Sequence, residues 1–140
     1  AAEHAAFFLP ETGLGIIPDA GAIRLPRILP PVVANEVLYA GRRLKADEAL
    51  RWGLVNAVVP ADRLLDEARA LAARIMASAP LAVEAVIAVG RTTHSLTLDE
   101  AFAHLRSGEL DAYERMLASE DAEEGPRAFT EGRDPHWQGR

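Results

Sequence analysis

Residues 8–21 read Phe8-Leu9-Pro10-Glu11-Thr12-Gly13-Leu14-Gly15-Ile16-Ile17-Pro18-Asp19-Ala20-Gly21. The run into it, His4 to Leu9, is short and apolar and is stopped by Pro10, a pattern that predicts a buried strand. From Glu11 to Gly21 there are three glycines and a proline, so this stretch is expected to be a shaped loop rather than an element. Glu11 therefore stands at the end of a strand, at the mouth of a loop walled by Leu14, Ile16, Ile17 and Pro18. A carboxyl desolvated in this way is suited to exchanging a proton with a substrate carbon or oxygen near neutral pH. The plainer alternative is that Glu11 caps a nearby backbone amide or pairs with Arg24. Asp19, between Pro18 and Gly21, is expected to form an Asx-type turn.

Outward from this stretch, the chain reads as mainly helical. A short helix is expected from Ala22 to Ile28, interrupted by Pro26. A second starts at Pro31 and ends at Gly41. Ala46 to Trp52 follows as a helix closed by Gly53. Leu54 to Val59 is apolar and β-branched, which predicts a strand closed by Pro60. Asp62 is a candidate N-cap for an amphipathic helix through Leu64, Leu65, Ala68, Leu71, Ala72, Ile75 and Met76. Pro80 opens another helix. Thr97 and Glu100 form a capping box for a helix expected to run to Leu117 through Gly108. Ser119 caps a last helix with Glu120 and Asp121 in its first turn, and the polar tail 133–140 carries an exposed-looking Trp137. Two short strands cannot make a stable sheet by themselves, so their partners must lie elsewhere.

Composition narrows the function classes. The 140 residues are 49% hydrophobic, enough for a real core, and carry a net charge of −6. That acidic balance argues against a general nucleic-acid or anionic-membrane binder, which needs a basic face. There is no cysteine, which removes disulfide frameworks, Cys-based zinc sites and thiol nucleophiles together. No apolar run reaches the ~18 residues of a transmembrane helix. The N-terminus lacks the basic region and long apolar run of a signal peptide. A cytoplasmic globular chain is the expectation. Phosphate-binding glycine motifs, a nucleophile elbow and clustered metal-ligating histidines are all missing, since His4, His94, His104 and His136 are scattered. The chain also opens without methionine, directly in a strand-like segment, which reads as a missing front end.

Residues 10–21 resemble the P-E-x-x-L-G-x-x-P-x-x-G segment of the crotonase (enoyl-CoA hydratase/isomerase) superfamily. The resemblance continues through Arg24-Leu-Pro-Arg27, Gly41-Arg-Arg-Leu-Lys-Ala-Asp-Glu-Ala-Leu-Arg-Trp-Gly-Leu-Val-Asn56, Ala79-Pro-Leu-Ala-Val83 and the block from Ser119 to Arg140. Ile28-Leu-Pro-Pro31, Arg91-Thr-Thr93, Arg106-Ser-Gly108 and the ending from Arg133 narrow it to the branch acting on carnitinyl-CoA and crotonobetainyl-CoA. The fold so implied is α/β: the C-terminal, mainly helical part of a ββα superhelix with a few short strands. Residues 1–78 would complete the core, and 79–140 would form a helical region for oligomerisation and for covering CoA.

The resemblance implies an enzyme that binds an acyl-CoA thioester and stabilises an enolate-like oxyanion with two backbone N–H groups. Glu11 matches the glutamate that trades a proton with the α-carbon. The other glutamate and both oxyanion donors would lie before Ala1. Leu9, Pro10, Ile17, Pro18 and Gly21 would line the substrate site. No metal or redox cofactor is implied, CoA being part of the substrate, and the complete protein would be a homo-oligomer, a trimer or a dimer of trimers. Double-bond isomerisation on the same fold is the neighbouring alternative. A half-domain inactive by itself, serving as an assembly module, is an alternative of another class.

Two departures from the family pattern stand out. Gly21 is followed by Ala22-Ile23-Arg24 where a second glycine is usual, so strain is expected in the loop that holds Glu11. The tail reads Phe129-Thr-Glu-Gly132-Arg133, with Gly132 in place of a lysine that in the family lies near the CoA phosphates of a neighbouring subunit. Arg133 is the candidate substitute. Phe129 would pack near the adenine or, alternatively, anchor the last helix.

Overall fold

The computed structural model describes residues 1–140, which divide into two compact units, Ala1–Arg69 and Ala70–Arg140. In the first unit, strand β1 (Ala6–Phe7) pairs antiparallel with β2 (Leu44–Lys45), in the register Ala6 to Lys45 and Phe7 to Leu44. Between them run a one-turn 3-10 helix (Glu11–Leu14), helix α1 (Asp19–Arg24), a 3-10 turn (Leu25–Arg27) and helix α2 (Pro31–Ala40). Helix α3 (Ala46–Arg51) follows β2, and α4 (Leu64–Met76) crosses the boundary between the units.

Helix α2 forms as its sequence dictates. Pro31 begins it where a missing N–H is harmless, and Gly41 ends it at φ +62, a left-handed conformation that glycine adopts without strain. Its apolar residues Val33, Ala34, Val37 and Leu38 recur on one face and are buried. Val33, Ala34 and Val37 form the core cluster with Leu29 and Leu44, and Phe7, Leu9, Leu25 and Leu54 pack against it. Arg42 joins the end of α2 to the start of α3 by pairing with both Glu36 and Glu48. Glu48 also accepts the Lys45 N–H at 3.1 Å. That N–H first, and the Arg42 guanidinium second, hold the Glu48 carboxyl below the usual carboxylate range.

Several expectations change here. Leu54 to Val59 is not a strand: only Val59 makes a bridge, parallel to Ala2, while the Leu54 and Val55 N–H groups turn back to the Ala49 carbonyl. An apolar β-branched run becomes a strand only where a neighbouring ladder accepts it. The 11–21 loop contains two helical pieces, and Asp19 opens α1 instead of making an Asx turn, its charge placed at the favourable end of the helix dipole. Asp62 lies inside a 3-10 turn (Ala61–Arg63) that precedes α4, so it is not that helix's N-cap. None of the residues of α4 is buried.

The second unit is built from α5 (Pro80–Thr93), α6 (Leu98–Leu105), α7 (Asp111–Leu117) and α8 (Glu120–Glu131), with α5 packed on α6 and α7, and α7 on α8. The capping box is formed, Thr97 N donating to the Glu100 carboxylate at 2.8 Å. That bond holds the Glu100 carboxyl below its ordinary range. The helix expected to reach Leu117 is instead split in two, because Gly108 takes φ +76. Ser119 caps α8 through the Ala122 N–H, 3.2 Å.

Two buried carboxylates of α8 hold the tail. Asp121 accepts the N–H groups of Gln138 and Gly139 at 2.7 and 2.9 Å. Glu124 takes Arg133 at 2.6 Å, Arg127 at 2.7 Å and the His136 N–H at 3.0 Å. Trp137 is half-buried rather than exposed, its indole N–H donating to the Ala77 carbonyl at 2.9 Å.

The Glu124 carboxyl is held well below the usual carboxylate range, by Arg133 foremost and then by Arg127. A depressed folded value means that its contribution is complete above the unfolded value near 4.5 and is lost as pH falls further. In a Trp52→Phe background, Trp137 fluorescence should therefore stay constant from pH 7 to about 5 and report release of the tail only below about 4.5. Release centred near pH 6 would contradict this account.

Candidate functional site

The short strand β1 leads through Leu9 and Pro10 into the 3-10 turn that begins with Glu11. The turn closes on itself: Gly13 N–H donates to the Pro10 carbonyl at 3.0 Å, and Ile16 N–H to the Glu11 carbonyl at 3.1 Å. Gly15, at φ +80, reverses the chain where a side chain would be strained. Pro18 is buried behind the loop, and α1 starts immediately after it.

Glu11 itself is half-buried, and its Oε2 is buried with no hydrogen-bond partner. It neither caps an amide nor pairs with Arg24, so both plainer alternatives fall away. A buried, unsatisfied carboxylate oxygen is costly, and few native structures keep one without a use for it.

Next to this turn lies an apolar groove of about 450 Å³, lined among others by Phe7, Phe8, Leu9, Gly21, Leu25 and Leu44. Leu9 and Gly21 thus lie together, as the sequence implied, whereas Pro10 and Ile17 are exposed and Pro18 is buried, all three outside the groove's lining. The aromatic walls Phe7 and Phe8 were not singled out beforehand, although the apolar run His4–Leu9 carried the signal. The Arg43 guanidinium stacks over the Phe8 ring, 3.7 Å from its centroid.

Gly21 is present because of a close approach. A Cβ there would meet Leu9 Cδ1 at 2.5 Å and Pro18 Cβ at 3.3 Å. Gly21→Ala gains up to about 1 kcal/mol of helix propensity but overpacks this contact at about 1–3 kcal/mol. The expected net result is a loss of about 1 kcal/mol in urea unfolding, with Leu9 displaced into the groove. A stabilised variant would show that the contact yields freely. The expected strain at Ala22 is absent: it is an ordinary exposed residue of α1, and no residue other than glycine has positive φ.

Phe129 and Arg133 lie in the second unit. Phe129 is 89% exposed, so it does not anchor α8 in a core. Arg133 is shared by Glu124 and Glu131, at 2.6 and 2.5 Å, so its charge is largely matched within its own unit. Glu124 was not foreseen, because an acidic residue two turns before an arginine is unremarkable until the tail folds back. No three His, Asp or Glu side chains come together in a metal-holding arrangement, and no single helix is long and apolar enough to cross a membrane.

Known proteins resemble this chain in sequence and in fold. A carnitinyl-CoA dehydratase of Salmonella arizonae is 53% identical over 139 residues, covering 99% of this chain and 53% of that protein. The carnitinyl-CoA dehydratase of Escherichia coli K12 is 53% identical over 140 residues, covering 99% and 54%. The crystal structure of an enoyl-CoA hydratase from Bacillus anthracis superposes with a TM-score of 0.88 at 38% identity, over 100% of this chain and 53% of that one. The chain spans about half the length of the curated relatives it matches. The enoyl-CoA hydratase/isomerase family matches residues 1–140 throughout, and the mostly helical fold with few strands is shared with solved members, so the chain belongs to that family.

Proposed function

We propose that this chain is the C-terminal half of a hydro-lyase domain acting on CoA thioesters, and that Glu11 is its proton-transfer group at the α-carbon. The observation that carries the reading is the buried, unpartnered Oε2 of Glu11, at the start of a 3-10 turn two residues after Leu9, which lines an apolar groove. Such an oxygen is free to take a proton that no protein donor already satisfies. The similarity to carnitinyl-CoA dehydratases supports carnitinyl-CoA and crotonobetainyl-CoA as the substrate pair.

In the dehydration direction the Glu11 carboxylate removes the α-proton, and the electron pair moves into the thioester as an enolate. Two backbone N–H groups, carried by preceding residues of the complete protein, stabilise that oxyanion. The β-hydroxyl then leaves as water, its proton supplied by a second glutamate of the same preceding part. Hydration is the reverse. No cofactor enters, because CoA arrives as part of the substrate.

Leu9 and Gly21 contribute the wall near the acyl group, with Pro10, Ile17 and Pro18 shaping the loop around it. Phe129 offers its exposed ring to the adenine. Arg133 is the candidate cation for the CoA phosphates of a neighbouring subunit, although its carboxylate neighbours weaken the potential it presents to a phosphate. Residues 1–78 form the catalytic part and 79–140 the helical region that covers CoA and joins subunits of a cytoplasmic homo-oligomer, a trimer or a dimer of trimers.

The test is hydration of crotonobetainyl-CoA and crotonyl-CoA, by the 140-residue chain alone and by the protein that also carries the preceding half. Turnover by the latter only is expected. Glu11-dependent turnover by the 140-residue chain without any added polypeptide would contradict the half-domain reading. Double-bond migration without net hydration would favour an isomerase.

A further inference from the structure

We infer that Thr12 is a positioning residue for Glu11, an inference that rests on the acid/base role proposed above. The backbone hydrogen bonds of the Glu11 turn are all local: Gly13 to Pro10, Gly15 to Thr12 and Ile16 to Glu11. Such bonds keep the turn's shape but do not fix its place on the core. The Glu11 Oε2 has no partner, so it does not fix it either.

One bond does. The Thr12 hydroxyl donates to the Leu38 carbonyl at 2.9 Å, across 26 residues of sequence. Leu38 is in the last turn of α2, where carbonyls lack intrahelical donors. The N–H groups that could have served it are committed elsewhere, since those of Gly41 and Arg42 both go to the Glu36 carbonyl. The Thr12 hydroxyl therefore satisfies an otherwise orphaned acceptor on a buried residue and, in doing so, ties the turn to α2, the helix whose buried face supplies most of the unit's core. The close passage of the chain over the end of α2 fits this: a Cβ on Gly41 would lie 3.8 Å from the Leu9 carbonyl oxygen.

Thr12 is adjacent to Glu11, so a shift of one moves the other. Proton transfer tolerates little displacement, about 1 Å sufficing to lose up to about 10²-fold in rate. A residue that only stabilised the fold would change the fraction folded, not the turnover of the folded enzyme.

The experiment compares Thr12→Val, which removes the hydroxyl at constant shape, with Thr12→Ser, which keeps it, in the complete protein assayed on crotonobetainyl-CoA well below the melting temperature. Thr12→Val should lower kcat per folded enzyme by about 10- to 100-fold with KM little changed. Thr12→Ser should stay within about threefold of wild type, because the bond survives. Thr12→Ala takes the place of valine if that variant does not accumulate. Unchanged kcat on loss of the hydroxyl, or a serine variant as impaired as valine, would overturn the inference. Glu11→Gln, assayed beside them, separates the two claims. If it abolishes turnover while Thr12→Val does not, only the positioning role falls; if it is active, the acid/base reading falls first.

Discussion

On the proposed role, replacing Glu11 with glutamine in the complete protein should lower kcat for hydration of crotonobetainyl-CoA by roughly 10²–10⁴-fold, the usual contribution of a positioned acid/base group, and leave KM nearly unchanged. The amide keeps the size and polarity of the carboxyl but cannot exchange a proton at the substrate's α-carbon. A fall in kcat at constant KM marks an interaction made only in the transition state. The same substitution should not lower the melting temperature, because the Oε2 it alters has no hydrogen-bond partner to lose. That pairing of outcomes separates chemistry from structure. A variant with wild-type kcat would remove Glu11 from the mechanism, and one that lost stability in proportion to activity would make it a structural residue.

The second large effect is on stability. Leu44→Ala should destabilise the chain by about 2–5 kcal/mol in urea unfolding, the range for emptying a packed leucine site. Leu44 is 1% exposed and, with Val37, is the largest fully buried side chain. It pairs with Phe7 across the only two-stranded ladder, packs in the core cluster and lines the groove beside the Glu11 turn. A short core has little to collapse into the vacancy, which places the value away from the low end. Leu14, 73% exposed in that same turn, is the matched control, and its alanine variant should change stability by no more than about 0.5 kcal/mol. A loss below about 1 kcal/mol at Leu44 would mean that this cluster is not the centre of the unit's packing.

Local signals were legible wherever the elements are set by local chemistry. Pro31 and Gly41 bound α2, the Thr97 and Glu100 pair opens α6, and Ser119 caps α8, all from bonds made within a few residues. The place of Glu11, where the apolar run gives way to a glycine-rich turn, was also legible, whereas the role proposed for it came only with the family resemblance. What misled were decisions taken at longer range. Leu54 to Val59 has the composition of a strand but no ladder to join, so it stays extended with one bridge. Gly108 was compatible with a continuous helix until its positive φ divided α6 from α7. Trp137 and Arg133 look like members of a free polar tail because the carboxylates that hold the tail, Asp121 and Glu124, are several turns away in sequence. Thr12 belongs to the same class, since its partner is 26 residues distant and no local pattern announces it.

The central claim is that the Glu11 carboxyl carries the proton between solvent and the α-carbon of a CoA thioester. Its most direct test is the rate of deuterium uptake at the α-carbon of carnitinyl-CoA in heavy water, followed by proton NMR with the complete protein and its Glu11→Gln variant. The account predicts steady loss of the α-proton signal with the wild-type protein and a rate at least about 10²-fold lower with the variant. Exchange by Glu11→Gln at the wild-type rate would contradict it.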